Sequence, residues 1–138
     1  MITFNYETDF FLDKSSKISE WILNTISLEN FTLGEINYIF CNDSYLLDIN
    51  KKYLNHDTFT DIISFDYTIG KQINGDIYIS IDRIKENSKL YNTSFNNELL
   101  RVMIHGVLHY LGYKDKTTDE KKTMRLKEDY YLSLQNIY

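Results

Sequence analysis

The hydrophobic period of this chain alternates between two and about 3.6 residues, which restricts it to a sheet with helices packed on its faces. Ile2 to Tyr6 alternates apolar and polar side chains and reads as a strand. Ser15 to Leu28 follows as a helix with Ile18, Trp21, Ile22 and Ile26 on one face. Gly34 to Phe40 is a second strand, and Asn42 or Asp43 can cap a second helix running to about Tyr53. Asn55 to Thr60 is a polar loop, Asp61 to Phe65 a third strand, Gly70 to Asn74 a turn, and Gly75 to Ser80 a fourth strand. Asp82 opens a third helix to about Tyr91. Ser94 caps a fourth, with Glu98 in its first turn and Gly112 as a left-handed terminator. Thr117-Thr118-Asp119-Glu120 has capping-box form and opens a last helix carrying Met124, Leu126, Tyr130, Tyr131 and Leu134. Two β-α-β units followed by a hairpin predict an α/β (α+β) arrangement, one mixed four-stranded sheet packed by about five helices.

A length of 138 residues leaves room for one domain, expected to span residues 1–138. With 43% hydrophobic and 25% charged residues the chain has globular proportions, which excludes disorder throughout. No apolar run is long enough for a bilayer span, and the N-terminus lacks a basic start and apolar block, so a cytoplasmic location is expected. The lone Cys41 can form neither an internal disulfide nor a cysteine zinc site, and reads as buried packing. The net charge of −5 speaks against indiscriminate binding to nucleic acid, but it is unevenly spread. Residues 1–100 carry 8 basic and 15 acidic side chains, a net of −7, whereas residues 101–138 carry 7 and 5, a net of +2. A polyanion would therefore meet the C-terminal part, unless those charges are simply a solvated surface.

Two histidines stand four apart in His105-Gly106-Val107-Leu108-His109. At that spacing both imidazoles leave one helix face, a turn apart, and can share a metal. On a mostly apolar helix their nitrogens need partners, and core hydrogen bonds are the alternative to a metal. Gly112 permits a sharp reversal that can bring Asp115 to the third side of the pair. The spacing, His-x3-His-x5-Asp, is that of the metzincin zinc motif, with Asp115 in place of its third histidine and Gly106 in place of its glutamate. Aspartate is an acceptable ligand for zinc and for more oxygen-loving metals. Gly106 removes the general base of a zinc peptidase, which disfavours that chemistry.

The run from His105 to Tyr113 resembles the signature of the YbeY endoribonucleases, His-Gly-x-Leu-His-Leu-x-Gly-Tyr-Asp-His. Asn50, Tyr53, Asp57, Thr60, Asp61, Ser64 and Phe65 match a second family block, and Gly75-Asp76-Ile77-Tyr78-Ile79-Ser80 resembles a third. Together the blocks cover roughly residues 36–116 in family order. The resemblance implies a zincin-like metal site in a metal-dependent endoribonuclease specific for single-stranded RNA. It further implies a role in 16S ribosomal RNA 3′-end maturation and ribosome quality control, with ribosomal RNA and the ribosome as partners. It implies one zinc ion per chain, held by His105, His109 and Asp115, with another divalent metal admissible because Asp115 replaces a histidine. Leu54 stands where the family has an arginine, His56 where it has lysine, Phe59 in place of proline, and Lys114 in place of aspartate.

A metal-activated water is the expected nucleophile toward the phosphodiester. With no glutamate beside the first histidine, proton removal falls to metal hydroxide, to the RNA 2′-oxygen or to a loop group such as His56, which can otherwise be a surface histidine. Lys114, Lys121 and Lys122 are candidates for phosphate contacts, with Lys116 and Arg125 nearby, and Tyr113, Tyr130 and Tyr131 for stacking on unpaired bases. The competing reading is a non-catalytic, ribosome-associated RNA-binding factor whose metal is structural. The oligomeric state is open.

Overall fold

A computed structural model describes all 138 residues, Met1–Tyr138. The elements run β1 (Ile2–Tyr6), α1 (Ser15–Leu28), β2 (Thr32–Cys41), α2 (Asp43–Leu54), β3 (Ile62–Asp66), β4 (Gln72–Ser80), α3 (Ile81–Leu90), α4 (Phe95–Tyr110) and α5 (Thr118–Leu134). The four strands form one mixed sheet in the order β1-β2-β4-β3. β1 pairs with β2 and β2 with β4 in parallel, with Phe4 opposite Tyr38 and Tyr38 opposite Ile77.

The expected second β-α-β unit is not present in that form. β3 runs antiparallel to β4 at the sheet edge, with Ile63 opposite Tyr78. The parallel crossover therefore joins β2 to β4 through α2 and the β3 strand, and the hairpin lies inside it. The hairpin is also tighter than the turn composition implies. Ile69 bridges Gln72 around Gly70, whose φ of 58° lies in the left-handed region, so Gln72–Asn74 belong to β4. β2 likewise starts at Thr32 rather than Gly34, paired with Gln72.

One face of the sheet carries the main core. Phe4, Tyr38, Phe40, Ile77 and Ile79 meet Ile18, Trp21, Ile22 and Ile26 of α1 and the apolar body of α4. Leu99, Leu100, Met103, Ile104, Val107 and Leu108 are all buried, so α4 is the central helix, flanked by α1, α3 and α5. α2 covers part of the opposite face, where its Leu46 packs with Cys41 and Ile63. Burial pushes the Cys41 thiol up to about 12, which makes it an inert packing group.

The caps follow the sequence signals closely. Asn42, not Asp43, caps α2, accepting from the Tyr45 amide at 2.9 Å. Ser94 accepts from the Asn97 amide, and Thr117 and Glu120 form the full capping box of α5. α3 begins one residue earlier than Asp82 implies, because Ser80 is its cap. No helix is long and apolar enough to cross a membrane.

Candidate metal centre

The end of α4 sets the geometry. Gly112 has φ 103°, and the chain reverses there through two bonds, Gly112 N–H to the His109 carbonyl and Tyr113 N–H to the Leu108 carbonyl, each 3.0 Å. This is a Schellman closure, which needs a residue free to adopt positive φ. It folds the segment after the helix back along the histidine face.

As a result His105, His109 and Asp115 converge, with one ligand atom from each all within 4.8 Å of one another. The Nε2 atoms of His105 and His109 are 3.0 Å apart, and Asp115 Oδ2 lies 3.2 Å from the first and 3.4 Å from the second. Ligands bonded at about 2.0–2.2 Å to a tetrahedral ion stand about 3.3–3.6 Å from one another, so the triangle is one face of such a polyhedron drawn in by a few tenths of an ångström.

The outward nitrogens determine which atoms face the centre. His109 Nδ1 lies 3.0 Å from the Tyr113 carbonyl oxygen, which can only accept, so this nitrogen carries the proton. His105 Nδ1 lies 2.6 Å from Glu128 Oε2 of α5, a carboxylate acceptor. Both neutral rings then turn their Nε2 lone pairs inward, toward each other and toward Asp115. Three acceptors meeting at one point require a cation or a proton between them, so this donor set fits a divalent metal. Burial alone would lower the pKa of His105, but the Glu128 hydrogen bond and the charges of Glu128, Asp115 and Asp61 outweigh it and raise it above its ordinary value. All three side chains remain partly exposed, leaving an open side.

Gly106 explains why no glutamate follows the first histidine. It faces the sheet, and a Cβ there would stand 3.0 Å from Ile77 Cδ1 and 3.1 Å from Ile62 Cδ1. A carboxylate at this position would enter the sheet interface, so the peptidase base has no place here.

Beside the triad lies a hollow of about 290 Å³, bounded by α4, α5, the start of β3 and the end of α3. Several of its polar residues were not assigned to the site from the sequence. Arg101 is held by Glu128 at 3.0 Å and by Asp129 at 2.8 Å. Asp61 accepts from Asn87 at 3.2 Å, and burial raises its pKa, partly offset by His105. Glu98 is only 4% exposed, and burial followed by the nearby Asp61 charge raises its pKa. One signal could have marked Glu128: it shares the α5 stripe of Met124 and Tyr131, where a buried apolar side chain is expected.

The other candidates are more scattered. His56 is exposed and lines a separate hollow with Asn50, Thr58 and Phe59, which shares only Ile62 with the hollow beside the triad. Lys114, Lys121 and Lys122 are exposed. Lys114 borders a shallow depression with Gly112, Asp119 and Glu120, while Arg125 is the α5 cation that lines the metal-side hollow. Tyr131 is buried, and its hydroxyl, like that of Tyr113, donates to Glu29, so neither ring is free to stack on a base in the way expected. Tyr130 is exposed.

Comparison with known proteins agrees with this architecture. The family profile described as Endoribonuclease YbeY matches residues 3–136. Endoribonuclease YbeY of Flavobacterium psychrophilum is 56% identical over 137 residues, covering 99% of this chain and 98% of the relative. That of Flavobacterium johnsoniae is 53% identical over 137 residues, covering 99% of both. A solution structure from Thermotoga maritima shares the fold with a TM-score of 0.70 and 26% identity, covering 96% of this chain and 87% of the other. From its N-terminal strand to its last helix, the chain belongs to the YbeY endoribonuclease family.

Proposed function

We propose that the protein is a metal-dependent endoribonuclease that cleaves single-stranded RNA at the centre formed by His105, His109 and Asp115. The single observation that carries this reading is the inward convergence of the two Nε2 atoms and Asp115 Oδ2, with both Nδ1 atoms fixed from outside. Zinc suits two imidazoles and a carboxylate, and another divalent metal is admitted by the aspartate. Such an ion supplies a Lewis acid for the phosphodiester and lowers the pKa of a coordinated water. The chain's own groups do the rest. Glu128 holds the His105 ring by Nδ1, and the Tyr113 carbonyl holds His109. Arg125 offers an exposed guanidinium beside the triad for a phosphate. His56, on the neighbouring loop, is the group we assign to proton exchange with the RNA, and Lys114, Lys121 and Lys122 extend the phosphate contacts.

The substrate in the cell is taken to be ribosomal RNA. The role is 3′-end maturation of 16S RNA and ribosome quality control, in the cytoplasm and with the ribosome as partner, as the family resemblance implies. Cleavage of an unstructured RNA by purified, metal-loaded protein tests this reading. Activity should vanish with chelation, return with zinc or another divalent ion, and be absent in His109→Ala. RNA binding without cleavage under every metal would favour the non-catalytic factor with a structural ion.

A further inference from the structure

We propose that the hollow beside the metal centre is a nucleobase subsite, in which Glu98 reads the Watson–Crick edge of a base next to the scissile phosphate and prefers guanine to uracil. The proposal rests on the endoribonuclease reading above and adds a sequence preference to it.

Glu98 carries the inference. Its side chain is 4% exposed and its carboxylate makes no hydrogen bond or ion pair within the protein, yet its oxygens are not sealed in: what surface they keep opens on the hollow. It lines the hollow together with three other acids, Asp61, Asp115 and Glu128. Buried polar groups are normally satisfied, so an unpartnered carboxylate facing a cavity points to donors that come from outside. The raised pKa, from burial first and Asp61 second, agrees: the ionised form lacks the N–H groups that would stabilise it.

The charge of the lining selects the class of occupant. Asp61, Glu98, Asp115 and Glu128 outnumber Arg101 and Arg125. Arg101 is already engaged by Glu128 and Asp129. A phosphate would be repelled by these carboxylates, whereas a neutral base presenting N–H groups would not. A second metal ion is also a poor fit, because His105, His109 and Asp115 are the group whose ligand atoms lie within 4.8 Å of one another, and Glu98 does not belong to it. Tyr91, 60% exposed, stands at the rim as a ring on which a base can stack.

The position fits a flanking nucleotide. Glu98 precedes His105 by seven residues on the same face of α4, two turns or about 10 Å along the axis. That is too far for the reacting atoms, but within reach of a base whose own phosphate is at the metal.

The chemistry of the edge sets the preference. Guanine presents adjacent N1–H and N2–H donors, which match the two oxygens of a carboxylate. Uracil has one N3–H between two carbonyl oxygens, and these repel a carboxylate. Adenine and cytosine each offer one amino group and fall between.

The test titrates metal-loaded, isotope-labelled protein with guanosine 5′-monophosphate and uridine 5′-monophosphate, followed by NMR. The shared phosphate cancels metal binding, so the ratio of affinities reports the base. Guanosine monophosphate should bind about tenfold or more tightly than the uridine compound. Glu98→Gln should bring the two close together without altering metal content. Tyr91→Ala should weaken both alike. Equal affinities in the parent, or an unchanged ratio in Glu98→Gln, overturn the subsite. So does a second bound metal per chain that disappears in Glu98→Gln. Cleavage of unstructured RNA is measured in parallel. Cleavage without base discrimination sinks the subsite and leaves the endoribonuclease reading intact, while discrimination without cleavage does the reverse.

Discussion

Glu128 crosses from α5 to within 2.6 Å of His105 Nδ1 while its other oxygen holds Arg101 at 3.0 Å. One carboxylate thus fixes both the orientation of the first imidazole and the packing of α5 on α4. Carboxylates that hold a ligating histidine by its far nitrogen govern metal affinity by about 10–100-fold. Glu128→Gln can still accept from Nδ1 through its amide oxygen, so it should fall near the lower end of that range. Glu128→Ala should fall near the upper end and also lose stability, because Arg101 keeps only Asp129. Zinc affinity by chelator competition, with circular dichroism alongside, checks this. Parent-like zinc affinity in both variants would show that His105 does not need Glu128 to bind the ion.

His109 is partly exposed and bonds through Nδ1 only to the Tyr113 carbonyl. The core around it is built from Ile104, Val107, Leu108 and Tyr110, all buried. The fold therefore does not depend on an ion in the way a zinc finger does. His109→Ala should bind metal far more weakly and keep a circular dichroism spectrum close to that of the parent. Global unfolding of this variant at room temperature would make the ion structural and favour the non-catalytic alternative.

The part of the centre that is local in sequence was legible from it. His105, His109 and Gly112 sit on one helix and its terminator, so helical spacing put the imidazoles together and the glycine marked a reversal that can deliver Asp115, the ligand the family resemblance implied. Glu128, Asp61 and Glu98 were less legible, for a physical reason. Asp61 and Glu128 reach the site from other elements, and Glu98 looks like an ordinary first-turn carboxylate until tertiary packing buries it. The same limit applies to β3. Its β-branched and aromatic residues mark a strand, but whether it lies parallel or antiparallel depends on where the crossover places it, and a seven-residue loop before it permits either.

Glu29, at the end of α1, accepts hydrogen bonds from Tyr113, Tyr131 and Lys127. It thereby ties the segment that carries Asp115 to α1 and α5. Burial alone would raise its pKa, but these three donors outweigh that and hold it below the ordinary carboxylate value. The sign follows. A depressed folded pKa contributes stability that is complete above the unfolded value of about 4.3 and is lost as pH falls through the folded one. Glu29→Gln should cost about 1–3 kcal/mol at pH 7. The gap between parent and variant should narrow in acid, since other carboxylates titrate alike in both. Urea unfolding at neutral and acid pH measures the gap, and one that stays constant would show that Glu29 is not the titrating latch.

The cations after residue 100 occupy two separate places. Lys121 and Lys122 are exposed on α5, whereas Arg125, on the same helix, lines the hollow beside His105. Each phosphate contact to a single strand contributes about 0.7 to the slope of log affinity against log salt. Replacing Lys121 and Lys122 together with glutamate should weaken binding to unstructured RNA, flatten that slope and leave metal content unchanged. Arg125→Gln should reduce the slope by about one contact's worth and, if the scissile phosphate passes through the hollow that Arg125 lines with His105 and Asp115, also slow cleavage. An unchanged slope in the double lysine variant, with a reduced one in Arg125→Gln, would mean that RNA is gripped at the mouth of the hollow. The lysines would then be a solvated helix flank, and the rest of the strand would have to run along the loop from Asn55 to Thr60.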